Sequence, residues 1–128
     1  MVLLDTDVLV DCLRGTEPAQ QWLETVESAT FYVPGIVAME LVAGCRDKTD
    51  LQHVQRFLDA FPVLWPDAAD FAQAYDLLVK YRLGVGIGIP DCLIASMALR
   101  RSARLYTFNW KHFRAIPELD VQQPYERS

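Results

Sequence analysis

The sequence predicts an α/β fold, a mainly parallel sheet covered on both faces by helices. Three observations carry this. Short apolar segments rich in β-forming residues alternate along the chain with stretches whose apolar residues recur at helical spacing. Strands separated by helices pair in parallel, because such connections cross over the sheet. At 128 residues, with 52% hydrophobic and 23% charged residues and only 6 Gly and 7 Pro, the chain has the size and composition of one folded domain, 1–128, and not of a disordered or collagen-like polymer.

Residues 2–4 (Val-Leu-Leu) form an apolar run that leads at once into the helix-initiating trio Asp5-Thr6-Asp7, so a buried strand followed by a helix is expected. Val8, Leu9, Cys12 and Leu13 keep to one helical face until Gly15 stops it, and Trp22, Leu23 and Val26 mark a second helix. Phe31-Tyr32-Val33 reads as a strand cut by Pro34-Gly35. A third helix is expected from about Ile36 to Cys45. A fourth runs from about Leu51 to Ala60, with Leu51, Val54, Phe57, Leu58 and Phe61 on one face. Val63-Leu64-Trp65 supplies a third strand, and Asp67 to about Leu83 a long amphipathic helix carrying Phe71, Ala74, Tyr75, Leu78 and Val79. The stretch from Gly84 to Ile89 reads as a loop, after which Pro90-Asp91 opens a helix ending near Arg101. Leu105-Tyr106 is a short strand, Asn109 to about Arg114 a short helix, and Val121 marks a last strand.

Twelve Lys and Arg against 17 Asp and Glu give a net charge of -5, so no bulk positive field draws in nucleic acid or an anionic membrane. A polyanionic substrate must be handled locally. Cys12, Cys45 and Cys92 are odd in number and far apart, which suits neither a disulfide framework nor paired zinc ligands; a reducing cytoplasm is the expected home. The opening Met-Val-Leu-Leu-Asp has no basic segment before an apolar stretch, so no secretory signal is expected. No apolar run approaches the ~20 residues that span a bilayer.

Three acids occur where a parallel α/β fold places ligands, at or near strand ends or on helices facing that edge. Asp5 ends the first strand, Asp91 opens a helix after the glycine-rich stretch, and Glu40 lies inside Ile36-Val37-Ala38-Met39-Glu40-Leu41-Val42-Ala43. A helix apolar almost all round is usually buried, and a lone carboxylate within it must be paired, protonated or bound to a cation. Each acid also has an ordinary structural use. Asp5 can cap the first helix, Asp91 can complement a helix dipole, and Glu40 can lie on a narrow solvent-facing stripe. Taken together, three carboxylates without matching Lys or Arg repel one another, and a hard divalent cation, Mg²⁺ or Mn²⁺, removes that repulsion.

Asn109 could add a fourth oxygen ligand or cap the helix that follows it, Asp7 could reach the same cation, and Thr6 and Thr107 are hydroxyls beside the acids. His53 and His112 have no nucleophilic partner in sequence and read as structural or surface residues, and Cys92 as a small core residue. The glycines do not form a dinucleotide fingerprint, because Ile89 stands where a third glycine is needed. Between Asp91 and Glu118 the chain carries Arg100, Arg101, Arg104, Lys111 and Arg114 and no acid, a candidate phosphate-binding surface as well as an ordinary solvated face. With an acidic metal pocket beside it, this points to hydrolysis of a phosphodiester.

Four segments in order resemble the PIN-domain family, and within it the VapC-like ribonuclease toxins of toxin–antitoxin pairs. They are Leu3-Leu4-Asp5-Thr6-Asp7-Val8-Leu9-Val10-Asp11, Met39-Glu40-Leu41-Val42-Ala43-Gly44, Ile89-Pro90-Asp91-Cys92-Leu93-Ile94-Ala95 and Thr107-Phe108-Asn109-Trp110-Lys111-His112-Phe113. The resemblance implies a three-layer fold with a parallel five-stranded sheet and a metal-dependent endoribonuclease acting on single-stranded or loop RNA. It also implies a homodimer, and a small antitoxin that covers the active-site groove. By position, Asp5, Glu40 and Asp91 would be the acidic metal ligands. The fourth position, often aspartate in the family, is Asn109, a weaker donor than a carboxylate, which bears on whether a second metal is held; Asp7 could restore the missing charge.

Two other readings compete. Asp5-Thr6-Asp7-Val8 after an apolar strand also resembles the opening of haloacid-dehalogenase-type phosphatases, in which the first Asp is the nucleophile. That reading leaves Glu40 without a task. The other is a catalytically silent PIN-like module that binds RNA or a partner without cutting, which Asn109 keeps open.

Overall fold

The computed structural model describes residues 1–26 and 30–127. Five strands, β1 (Val2–Leu4), β2 (Phe31–Pro34), β3 (Val63–Leu64), β4 (Arg104–Tyr106) and β5 (Val121–Gln122), form one sheet in the order β3-β2-β1-β4-β5. Every neighbouring pair is parallel. The helices are α1 (Thr6–Arg14), α2 (Glu17–Thr25), α3 (Gly35–Ala43), α4 (Lys48–Leu58), α5 (Ala68–Val85), α6 (Ile89–Arg101) and α7 (Trp110–Phe113).

This strand order positions the site. From β1 the chain moves outward in one direction to β2 and β3, then returns to the far side of β1 to lay down β4 and β5. Crossover helices on the two sides cover opposite faces of the sheet, and a crevice opens beyond the C-terminal ends of β1 and β4, where the order reverses. The strands are short and wholly apolar at their centres. Leu3, Leu4, Val33 and Leu105 are fully buried, as expected for a sheet covered on both faces. On one face lies α6, buried without interruption from Cys92 to Ala98. Its Ser96 hydroxyl donates to the Asp70 carbonyl at 2.7 Å.

Helix α5 is tied to α6 through Asp70, which has no exposed surface. Arg101 donates to it at 2.8 and 3.0 Å and Arg100 at 2.7 Å. Burial alone would raise this carboxyl, but the hydrogen bonds from Arg101, the Asp67 amide and Arg100 outweigh it and hold the group well below the usual carboxylate range.

Three expectations are corrected. Gly84 and Val85 are not loop but the last turn of α5; the left-handed Gly86 (φ 78) ends that helix and Gly88 already caps α6, leaving a connection of three residues. Helix α3 starts at Gly35 and is not buried all round, since Met39 (57% exposed), Glu40, Val42 and Ala43 face outward. The amphipathic reading of α5 places Phe71, Tyr75 and Val79 in the core, whereas they, with Leu83 (99% exposed), form an outward apolar stripe. That face belongs to the family of surfaces that mark contact with another molecule.

Candidate active site

The site is built on the first residues beyond β1 and β4. Asp5 caps α1: its Oδ1 accepts the Thr6 amide hydrogen at 2.8 Å. Its Oδ2 accepts the Thr107 hydroxyl at 2.7 Å, a bond across the switch point between positions 102 apart in sequence. The Thr107 oxygen in turn accepts the Asn109 amide hydrogen at 2.9 Å. The capping use of Asp5 and its place in the site are therefore the same geometry. Asp7, in the first turn of α1, accepts the Phe108 amide hydrogen on Oδ2 at 3.0 Å, while its buried Oδ1 has no partner among the described residues. Glu40 reaches from the exposed side of α3 to accept the Thr6 hydroxyl at 3.2 Å.

Asp91 lies in the first turn of α6. Its Oδ2 is 3.1 Å from His112 Nδ1 and 3.4 Å from Asn109 Nδ2, and those two nitrogens are 3.0 Å apart. Asn109 occupies the cap position of α7, yet its side chain makes no capping bond and turns to Asp91 and His112 instead.

The electrostatics follow from burial. Asp5, 6% exposed, is pushed up to about 7, first by desolvation, then by the charges of Asp7 and Asp91, against the hydrogen bonds from Thr107 and Thr6. Burial also raises Asp7. Glu40 is raised by desolvation and by the charge of Asp91, against the Thr6 hydroxyl. Asp91 thus acts on both Asp5 and Glu40, and no cationic side chain of the described residues is among the main influences on either of them.

Among the described residues, no three His, Cys, Asp or Glu side chains converge tightly enough to hold a metal ion unaided. The donor chemistry nonetheless fits one kind of ion. Hard oxygens, raised carboxyls and an unpartnered buried oxygen on Asp7 match a cation that keeps several waters and takes only one or two carboxylates directly, as Mg²⁺ does. A dry cage of three or more protein ligands does not match.

Two expectations change here. His112, read from sequence as structural or surface, is in contact with Asp91; the signal was its i+3 spacing from Asn109 on one helical turn. The basic run is mostly engaged elsewhere. Arg100 and Arg101 hold Asp70, Arg104 pairs with Asp120 at 3.1 Å, and Arg114 lies 4.7 Å over the Trp110 ring. Of the five candidates for phosphate, only Lys111 has no such partner among the described residues.

The C-terminal residues carry no motif or periodicity that marks them in the sequence. The Tyr125 hydroxyl donates to Asp11 at 2.9 Å, and Arg127 donates to Asp11 at 3.0 Å and to the Asp7 carbonyl at 3.4 Å. The Arg127 guanidinium stacks 3.8 Å over Phe108. The tail thereby fastens α1 to the segment that carries Thr107 and Asn109. On the other side of the acids, a cleft of about 590 Å³ begins at Thr6 and Glu40 and runs between α1, α3 and α4 past Leu13, Leu41 and His53.

Fold and acids together define a PIN domain. The family model of that description matches residues 2–119, and the chain belongs to the PIN domain family. It is 37% identical over 131 residues to Ribonuclease VapC19 of Mycobacterium tuberculosis, covering 98% of this chain and 100% of that protein. Among solved structures, VapBC2 from Rickettsia felis bound to a DNA fragment from its promoter aligns with a TM-score of 0.82 at 26% identity, over 96% of this chain and 98% of that one. A toxin–antitoxin complex from Klebsiella pneumoniae aligns with a TM-score of 0.80 at 27% identity, over 99% and 100%. Asp5-Thr6-Asp7 accordingly opens a PIN domain and not a haloacid-dehalogenase-type phosphatase.

Proposed function

We propose that this chain, as a single domain, is a metal-dependent endoribonuclease that hydrolyses phosphodiester bonds in single-stranded or loop RNA, and that it acts as the toxin of a toxin–antitoxin pair. The observation that carries this reading is the group of carboxylates Asp5, Glu40 and Asp91 at the switch point of a PIN-domain chain that covers the full length of one relative named as a ribonuclease.

Asp5, Glu40 and Asp91 would together hold Mg²⁺ or Mn²⁺, one or two of them directly and the rest through the ion's waters, with Asn109 a neutral amide beside Asp91 and Asp7 a further carboxylate nearby. When bound, such an ion neutralises charge developing on the phosphate oxygens. The protein supplies orientation: Thr6 and Thr107 fix both oxygens of Asp5, so the carboxylate needs no reorganisation when its charge is drawn on. Glu40, exposed and held among the described residues by Thr6 alone, is the acid a substrate strand can approach from solvent.

The cleft leading away from Glu40, lined by apolar Val10, Leu13, Leu41 and Val54 and by charged Arg14, Arg46 and Asp50, suits a segment of a small antitoxin, whose occupancy would cover the acids. The solved relatives that are toxin–antitoxin complexes support this. The outward stripe of Phe71, Tyr75, Val79 and Leu83 on α5 supports a homodimer. Three free cysteines suit the cytoplasm, and no helix among the described residues is long and apolar enough to cross a membrane.

The test is cleavage of labelled single-stranded and hairpin RNA with Mg²⁺, with Mn²⁺ and with EDTA. Metal-dependent cleavage by the parent, lost in Asp91→Asn with far-UV circular dichroism retained, supports the enzyme. A parent that binds RNA but cuts none under either metal supports the silent module instead.

A further inference from the structure

We propose that His112 is a positioning residue of the site: its Nδ1–H holds the Asp91 carboxylate in the orientation that meets the cation. This rests on the metal-dependent reading above and assigns a task to a side chain outside the acid set. Asp5 is fixed by Thr6 and Thr107, and Glu40 by Thr6, whereas the hydrogen bonds to the Asp91 carboxylate come from His112 and Asn109 alone among the described residues. A carboxylate only accepts. Two neighbours compete for Nδ1: the Asn109 amide at 3.0 Å could donate to it, and the Asp91 carboxylate at 3.1 Å can only accept from it. The charged carboxylate is the stronger partner, and a bare Nδ1 would face its lone pairs, so we assign the hydrogen to Nδ1, directed at Asp91, with the Asn109 amide donating to the carboxylate and not to the ring. Asn109 Nδ2 adds a second N–H toward the same oxygen at 3.4 Å. The next residue, Phe113, is fully buried and anchors this end of α7 in the core. A fixed donor on a ligating carboxylate sets its direction and basicity, and loss of such a donor weakens metal affinity or activity by 10–100-fold, on the order of magnitude seen at other metal sites.

Three variants test this. Asparagine places an amide hydrogen near the position of Nδ1, glutamine near that of Nε2, and alanine supplies neither. With Mn²⁺ as the probe, the rise of Tm with metal concentration is measured alongside kcat and KM for RNA cleavage. His112→Ala is expected to need roughly 10–100-fold more Mn²⁺ for the half-maximal rise and to lose kcat by a similar factor, with KM for RNA little changed. His112→Asn should recover most of both, and His112→Gln should not. Wild-type metal response and kcat in His112→Ala, a change confined to KM, or rescue by Gln equal to that by Asn would each overturn the assignment. Should the alanine variant fail to fold, the Asn and Gln variants decide between the same outcomes. A parent without any Mn²⁺-dependent rise removes the metal reading itself, and His112's task with it.

Discussion

Replacing Asp5 by Asn should make the metal-free protein more stable at pH 8 while removing a residue from the centre of the site. Asp5 is almost wholly buried, and its carboxyl is raised from 3.8 to about 7 by burial and by its acidic neighbours. A carboxyl raised on folding contributes stability that is complete below pH 3.8 and is lost as the pH climbs through about 7. A shift of that size costs the folded state about 4 kcal/mol by pH 8, of which about 2.5 kcal/mol is lost between pH 5 and pH 8. Asn has no charge to desolvate. It keeps one acceptor for the Thr6 amide and turns an NH₂ toward the Thr107 hydroxyl, at a cost of about 1 kcal/mol. The variant should therefore exceed the parent by about 2–3 kcal/mol at pH 8 and by much less at pH 5. Urea unfolding of both proteins in EDTA at the two pH values measures the gap directly, because groups that do not interact with Asp5 cancel in the difference; relief of Asp7 and Asp91 from its charge acts in the same direction. A gap that does not widen with pH, or a variant less stable than the parent at pH 8, would refute the reasoning. Mn²⁺ at pH 8 should stabilise the parent and leave the variant unmoved.

Glu40→Gln, on an exposed surface, should change metal-free stability by less than about 0.5 kcal/mol yet abolish the Mn²⁺-dependent rise in Tm; an unchanged rise would take Glu40 out of the site. Asp70→Asn should cost about 3 kcal/mol, since Arg101 and Arg100 lose their buried partner, with specific cleavage per folded molecule unaltered. Because the Asp70 carboxyl is held low, its contribution is present at neutral pH and fades on acidification, and the gap between parent and variant in urea unfolding should narrow below pH 4. Tyr75→Glu, in the middle of the apolar stripe on α5, should convert a dimer to a monomer in sedimentation velocity with no loss of helix signal.

Much of the frame was legible because the relevant signals are local. An apolar run ending in Asp-Thr-Asp marks both a strand end and a helix start, and a carboxylate among aliphatic residues is conspicuous in one dimension, which is how Asp5, Glu40 and Asp91 were singled out. The errors came where one dimension carries no information about direction. Helix α3 is apolar enough to read as buried, yet Met39 and Val42 look outward beside Glu40, and the same holds for Phe71 and Tyr75 on α5. The run from Arg100 to Arg114 looked unpaired because its acids, Asp67, Asp70 and Asp120, lie outside it. Glycine permits a helix to end without forcing it to, so Gly84 stayed helical and Gly86 took the left-handed turn. Nothing local marks His112 as a site residue, because its partner Asp91 is 21 positions away. The clamp by Tyr125 and Arg127 joins residues more than a hundred positions apart, beyond any periodic pattern.

The bond from Thr107 to Asp5 also fixes when the pocket comes into being. A ribosome presents Asp5 near the beginning of synthesis and Thr107 near its close, and β1 keeps one edge bare until β4 has been made. A nascent polypeptide can thus hold most of the acids without the hydroxyl that orders the first of them. The first acid of the site therefore takes its final orientation only once the last quarter of the chain has cleared the exit tunnel.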